Sequence, residues 1–273
     1  MQKLIFSLSG IWPALIFGDT LVLDRWLWLR RRLPMVSGAR LIDVGCGSGT
    51  FSLAASRRGY HVTGVSMDEG QNQKARNRAA WIGSDHAEFH DLDIRRLDEG
   101  QGLLGQFDVA ICTETIEHIL DDAKLMRDIA DCLKPGGRLL LTAPYVGYKA
   151  ITPDDNGPFS TVENGGHVRR GYREEDYRRL CEQAGLEAGE IGFCSGFLSQ
   201  MLTKILRYVS SIHYLAGWIL ILPLRLFAPI IDPMPRGLGL WPDYSITLVA
   251  RKSGESVRRD EATTQGQREG PHG

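Results

Sequence analysis

The chain has 273 residues, 43% hydrophobic and 24% charged, a composition that supports a globular core and argues against a disordered or fibrous protein. With 32 Lys and Arg against 33 Asp and Glu, the formal charge of -1 exerts no general pull toward nucleic acid, so nucleic-acid binding is not expected. The five cysteines, Cys46, Cys112, Cys132, Cys181 and Cys194, are odd in number and form no CxxC. That argues against a disulfide framework or zinc ribbon and for a reduced, cytoplasmic compartment.

In chain order, residues 1–17, MQKLIFSLSGIWPALIF, loosely have the form of a secretory leader. No small-residue cleavage site follows, and an apolar-aromatic helical pattern continues through Arg25–Leu33, so residues 1–38 read as an N-terminal helical cap. Strands are predicted at Arg40–Val44, His61–Val65, Ala87–His90, Phe107–Cys112 and Arg138–Thr142, with helices at Phe51–Arg58, Gln71–Trp81 and Ala123–Leu133 between them. Lys134-Pro135-Gly136-Gly137 reads as a helix stop and turn. This alternation implies an α/β fold, a parallel sheet covered by helices on both faces. Beyond Tyr145 the pattern loosens into a Gly-, Pro- and Asp-rich loop, then a helix at Arg173–Ala184, a strand at Leu186–Phe193 and a last strand at Tyr244–Ala250. Before that strand lies an apolar insertion, 195–235. Its run 215–231 is 17 residues long and contains Arg225, Pro223 and Pro229, short of the roughly 20 apolar residues a membrane span requires. Residues 253–273 are almost devoid of apolar side chains and are expected to be disordered. No internal repeat is present.

The chemistry begins at LIDVGCGSGT, where Gly45, Gly47 and Gly49 follow the first strand and precede a helix. Glycines there permit a sharp turn and close backbone approach to a ligand at the switch point of the sheet. The spacing is G-x-G-x-G; the dinucleotide fingerprint G-x-G-x-x-G would need glycine where Thr50 stands. With Asp43 two residues earlier, this resembles motif I of the class I S-adenosylmethionine (SAM) methyltransferases. VTGVS, HDLDI, FDVAIC and LKPGGRLLLTAP follow in the family's order, so the resemblance covers about residues 39–145, the SAM-binding core, with 146–252 completing the sheet on the acceptor side.

The resemblance implies a Rossmann-like, doubly wound, seven-stranded sheet with an antiparallel last strand. It places Gly45, Cys46, Gly47 and Gly49 around the methionine part of SAM, with Asp43 holding the amino group or, alternatively, capping the glycine turn. Asp93 falls where the family puts a carboxylate on the adenine amino group, with Ile94 against the ring and Thr113 at the end of the fourth strand. The family's acid for the ribose hydroxyls is absent at the end of strand two, where Ser66 stands, and a serine replaces a carboxylate poorly. Asp68 or Gln71, flanking Met67, are the substitutes; the segment VTGVSMDEGQ resembles the cyclopropane-fatty-acid synthases, in which a Gln contacts the ribose. Both residues also suit a plain helix start.

After the fourth strand comes TETIEHI. On a helix starting near Thr115, Glu114 and Glu117 share a face and His118 lies beside Glu117. The ExxEH arrangement resembles that of ubiquinone-pathway O-methyltransferases and small-RNA 2′-O-methyltransferases, where these side chains ligate a divalent cation such as Mg²⁺. His167 stands where those families carry a further histidine. The same IEH lines the acceptor cavity in methyltransferases without metal, so the favoured assignment is Glu117, His118 and His167 as cavity and proton-handling groups. Glu114, Glu117 and His118 as metal ligands are the alternative, and plain helix solvation a third. Tyr145 and Tyr148 are acceptor-side or packing aromatics.

The expected function is methyl transfer from SAM to a small, hydrophobic acceptor (a lipid, quinone or similar), with O-methylation favoured. The alternatives are an RNA 2′-O-methyltransferase, a C-methylating relative of the cyclopropane synthases and a non-catalytic SAM-binding protein. The insertion 195–235 is a candidate for peripheral membrane contact, against core packing or a dimer interface.

Overall fold

The computed structural model describes residues 2–254 apart from Phe17, Asp19 and Val36; the predicted disordered tail lies outside the described residues from position 255 onward. Its seven strands are β1 (Arg40–Val44), β2 (His61–Ser66), β3 (Ala87–Asp91), β4 (Phe107–Thr113), β5 (Leu133–Pro144), β6 (Leu186–Cys194) and β7 (Ser245–Lys252). They form one sheet in the order β3-β2-β1-β4-β5-β7-β6. β1 to β5 pair in parallel, and β7 runs antiparallel to both β5 and β6. This is the Rossmann-like methyltransferase topology. The order reverses between β1 and β4, which opens a crevice at their carboxyl ends.

The helices are α1 (Gln2–Ser9), α2 (Trp12–Ile16), α3 (Thr20–Arg32), α4 (Thr50–Ser56), α5 (Glu69–Ile82), α6 (Asp122–Cys132), α7 (Glu174–Gln183), α8 (Phe197–Ile212), α9 (Tyr214–Arg225), α10 (Ala228–Ile231) and α11 (Pro233–Gly237). The inner strands are buried on both sides, hence their near-continuous apolar runs. One core packs Leu125, Met126 and Ile129 of α6 with Tyr177 and Leu180 of α7 against Ile42, Val44 and Leu139. The other packs Trp26, Leu29, Leu53 and Ala75 against Leu41, Ile111 and Leu140.

A third, small cluster of Leu202, Leu206, Trp218, Ile221 and Ala228 holds α8, α9 and α10 together as a lobe. Two polar devices fasten that lobe. The buried Arg225 guanidinium donates to the Leu15 and Gly18 carbonyls, both at 3.0 Å, and Thr20 Oγ1 donates to the Ser199 carbonyl at 3.1 Å. Asp232 accepts from the backbone N–H groups of Leu198 and Ser199, satisfying two of the N–H donors that a helix start leaves open. Among the described residues no helix is long and apolar enough to cross a membrane; α9 carries Pro223 and closes at Arg225.

Two local expectations differ. The Lys134-Pro135-Gly136-Gly137 turn lies inside β5, which starts at Leu133 by pairing with Phe107, the register shifting before Val109 resumes with Arg138; Gly136, at φ 77°, absorbs the irregularity. The helix expected from Thr115 is a single 3-10 turn, Ile116–His118.

Candidate functional site

At the end of β1 the chain turns through Gly45 (φ 80°), Gly47 (φ 50°) and Gly49 (φ 72°). The three glycines serve different ends. A Cβ on Gly45 would lie 2.5 Å from Thr115 Cγ2, and one on Gly49 would lie 2.8 Å from Ala75 Cβ and 2.9 Å from the Phe89 ring. These two glycines are packing requirements. A Cβ on Gly47 meets no protein atom within 4 Å, so this residue faces open space. The loop is tied to β2 by bonds from the Gly45 and Cys46 N–H groups to the Val65 carbonyl, and to α5 by Arg78 Nη1, which donates to the Ser48 carbonyl and hydroxyl.

Asp43, 1% exposed, stands behind the loop. Ser52 Oγ donates to its Oδ2 at 2.5 Å, while Oδ1 has no partner. Burial pushes its carboxyl up to about 7. A buried, half-satisfied carboxylate beside a glycine cradle is an acceptor waiting for a donor, which an ammonium group would supply. Cys46 is buried with its thiol 3.5 Å from Asn72 Oδ1.

The cleft in front of the loop is lined by Gly45, Gly47, Ser66, Met67, Asp68, Gln71 and Ile94, all expected from sequence, and by Arg95, Thr115, His118, Ile119, Glu163 and Gly165. Asp68 Oδ1 accepts from the Gln71 N–H at 3.0 Å, so Asp68 is the N-cap of α5, and Ser66 Oγ accepts from the Asp68 N–H. Asp93 and Thr113 do not line the cleft. Asp93 caps the 3-10 turn after β3 and gives both oxygens to Arg95, whose guanidinium holds its carboxyl below the usual range. Thr113 offers its carbonyl to the Thr115 hydroxyl at 3.0 Å. Sequence reasoning missed Arg95 and Glu163. They pair at 2.8 Å, and Glu163 also accepts from the Leu120 N–H, so the loop after β5 closes over the cleft; only their alternating charge could have hinted at it. Asn72 was missed too. It joins the ends of β2 and β3 through Ser66 O, His90 O and Asp91 Oδ1.

Glu114 departs from the expected helix face. It sits at φ 48° and turns toward Arg25 of α3 at 2.9 Å, also accepting from the Thr142 and Ser245 hydroxyls at 3.0 Å each. The metal set Glu114, Glu117 and His118 is therefore not assembled; its glutamates do not share a helix face because only one turn of 3-10 helix forms. His167 joins instead. Its Nε2 lies 3.9 Å from Glu117 Oε1, that of His118 lies 3.8 Å away, and the two imidazoles meet edge-on with centroids 4.7 Å apart.

Glu117 is fully buried and neither oxygen has a hydrogen-bond partner. Burial pushes its carboxyl well above the usual range, with Glu114 adding to the effect. Burial also lowers His167 to about 4, so its imidazole is neutral at physiological pH and able to accept a proton or a metal. The ligand atoms of Glu117, His118 and His167 all lie within 4.8 Å of one another. An orphaned carboxylate between two imidazoles fits a divalent cation as well as a proton relay.

A second cavity, of about 200 Å³, is lined by Arg25, Glu114, Glu117, His118, His167, Tyr148 and Tyr244 and roofed by residues of α8. Tyr148 is buried against Tyr244, with ring centroids 5.0 Å apart, whereas Tyr145 packs on Phe193. His118 lines both this cavity and the glycine cleft.

A family model described as a methyltransferase domain matches residues 24–190. The ubiquinone biosynthesis O-methyltransferase of Marinobacter nauticus is 36% identical over 176 residues, covering 63% of this chain and 72% of that protein. The enzyme of the same name from Aeromonas salmonicida is 33% identical over 115 residues, 42% of this chain and about half of that protein, 47%. Among solved structures, a phosphoethanolamine N-methyltransferase 2 from Haemonchus contortus with bound S-adenosyl-L-methionine aligns with a TM-score of 0.61 at 21% identity, over 90% of this chain and 57% of that one. The family match, the sheet order and the glycine cradle agree: the chain belongs to the class I SAM-dependent methyltransferases.

Proposed function

We propose that the acceptor is a hydroxyl borne on a hydrophobic molecule, a quinone precursor or similar lipid, and that the product is a methyl ether. The observation that carries this reading is His118. It borders both the glycine cleft and the second cavity, next to Glu117 and His167. The glycine cleft fits SAM, with Gly47 open to the ligand, Asp43 Oδ1 available to its ammonium group, Asp68 and Gln71 near its ribose and Ile94 against its adenine. When bound, SAM supplies an activated methyl group for in-line displacement. The chain's own work is to align the acceptor oxygen, exclude water and remove one proton. His167, neutral in its buried setting, or His118 takes that proton, and Glu117 steadies the imidazolium that results.

The cavity is small and lined largely by polar groups, so it suits an acceptor's head group, and an apolar tail has to lie outside it. The lobe offers such a surface: Tyr208, Ile212, Ile219, Phe227, Ile230 and Leu238 are all more than half exposed. From Phe197 to Trp241 the sequence has one acid, Asp232, which is buried, against Lys204, Arg207 and Arg236 besides the buried Arg225. That charge balance complements an anionic bilayer surface, where the acceptor is collected in this proposal.

A second reading of Glu117, His118 and His167 is favoured by the two unpartnered Glu117 oxygens. In it the trio holds a divalent cation that would polarise the acceptor hydroxyl. Dialysis against chelator followed by Mg²⁺ or Mn²⁺ distinguishes the two, since a proton relay is indifferent to both treatments. Incubating the protein with methyl-labelled SAM and a membrane lipid extract tests the main reading. Label is expected in lipid-extractable aryl or alkyl methyl ethers; label confined to RNA, or to carbon-bound methyl groups, sinks it.

A further inference from the structure

The loop that delivers His167 has no apolar anchor of its own. Of residues 161–166, Thr161, Val162, Asn164, Gly165 and Gly166 are exposed, and Glu163 alone turns inward, its side chain 18% accessible. The loop's position therefore depends on a few polar bonds. The Ser160 N–H donates to the His167 carbonyl at 2.8 Å and closes the loop, and the Val168 N–H donates to the Glu117 carbonyl at 2.9 Å. Glu163 ties it further: Oε1 accepts from the Leu120 N–H at 2.6 Å and Oε2 from Arg95 Nη1 at 2.8 Å. The loop is thereby strapped across the turn that carries Glu117 and His118.

Arg95 gives this strap a fixed post. Its Nε and Nη2 donate to Asp93, and the Lys124 ammonium donates to its carbonyl at 3.0 Å. Arg95, Glu163 and Gly165 line the glycine cleft, whereas His167 lines the second cavity. One short loop thus walls one site and supplies a side chain to the other. A ligand in the cleft touches the loop and favours its closed arrangement. A misplacement of about 1 Å can cost about 10²-fold in rate.

We propose that Glu163, braced by Arg95, is a positioning residue: it sets the His167 imidazole against Glu117 and transmits filling of the cofactor cleft to the acceptor cavity. The inference rests on the reading of Glu117, His118 and His167 as the proton-handling groups. It adds an order of events, in which the acceptor hydroxyl meets a complete site only once SAM is in place.

The test uses full-length protein isotope-labelled in the rings of its seven histidines and titrated to saturation with S-adenosylhomocysteine at fixed pH. His118→Gln and His167→Gln assign the two resonances. His118 borders the cleft and reports occupancy directly; a signal reaches His167 by the loop or by the adjoining His118 ring. Both resonances should shift in the parent. In Glu163→Ala the His118 shift should persist, while the His167 response is lost and its starting position moves as the edge-on contact between the rings loosens. Glu163→Gln, which still offers an acceptor to the Leu120 N–H but no charge to Arg95, should lose part of the response, and Arg95→Lys should retain it. At saturating methyl-labelled SAM, transfer to a membrane lipid extract should fall about 10²-fold in kcat in Glu163→Ala, with KM for SAM changed less. A silent His167 in the parent, a His167 response that survives Glu163→Ala, or an unchanged kcat overturns the proposal. Methylation by a parent whose His167 is silent removes only the relay; a relay in a parent that methylates no hydroxyl removes the O-methylation reading and leaves the coupling of the two sites.

Discussion

Gly47→Ala separates the cofactor contact from the fold because its neighbours Gly45 and Gly49 serve as internal controls. At Gly47 a new methyl group meets no protein atom within 4 Å, so the only folded-state penalty is the positive φ of 50°. That backbone cost is about 1–2 kcal/mol, partly offset by the roughly 0.4–1 kcal/mol that alanine removes from the unfolded state's entropy advantage. A net loss near 1 kcal/mol lowers Tm by about 2–4 °C in a chain of this size. At Gly45 the same substitution adds a contact of 2.5 Å to Thr115 Cγ2 at φ 80°. Overpacking there costs about 1–3 kcal/mol on top of the backbone strain. The methyl of Gly47→Ala projects instead into the SAM cleft, where the same overpacking range corresponds to a loss of about 5- to 150-fold in affinity. Calorimetric titration with SAM, alongside thermal unfolding of both variants, reads the two quantities separately. A Gly47→Ala protein that binds SAM within twofold of the parent refutes the assignment of the cradle. One that unfolds as readily as Gly45→Ala refutes the claim that Gly47 faces open space.

Glu117→Gln is expected to lower the methylation rate by about 10²–10⁴-fold with Tm held or raised, because the buried carboxyl loses an ionisation that its site disfavours; a rate within tenfold of the parent would remove Glu117 from the chemistry. Asp24 is buried in α3 and pushed up to about 7 by desolvation, with Asp232 adding to the effect. The folded state keeps its proton while the unfolded chain ionises from pH 3.8 upward, so stability is lost as pH rises from about 4 to 7. Asp24→Asn should therefore match the parent near pH 4 and exceed it by roughly 2–4 kcal/mol above pH 7; urea midpoints that do not diverge with pH would count against this. Arg225→Met removes donors from the Leu15 and Gly18 carbonyls and should cost about 3 kcal/mol, read by urea unfolding and by faster proteolysis between α8 and α11; an unchanged midpoint would mean the guanidinium is not structural.

What was legible in the sequence was whatever depends on neighbours close in the chain. The inner strands are visible in short apolar runs between turn residues, because a strand covered on both faces advertises its burial position by position, whereas the edge strands β3 and β6 are mostly half-buried or exposed and carry no such run. The glycine cradle is visible because three closely spaced positive-φ positions strongly favour glycine. Glu114 was misread for the opposite reason. Its conformation is set by Arg25 of α3 and by Thr142 and Ser245 of β5 and β7, none of which are near it in sequence. Asp93 stands at a family position, and its bonds to Arg95 two residues on were not foreseen because they form only once the 3-10 turn after β3 folds. The pairing of His167 with Glu117 and His118 depends on how the long loop after β5 folds back, and its Gly- and Pro-rich pattern carries no periodicity to read.

The bond from Arg225 to the carbonyls of Leu15 and Gly18 ties together parts of the chain that lie far apart in sequence. The stretch shared with the family begins at Asp24 and stops at Glu190, leaving both partners of that bond outside it, one before and one after. Two chain segments outside that stretch are thus bolted to each other, with Thr20 and Ser199 as a second rivet. Together they form one roof, with α8 lying over the second cavity. A chimaera that borrows the lobe from this chain without its first 23 residues would arrive with a buried guanidinium stripped of the Leu15 and Gly18 carbonyls.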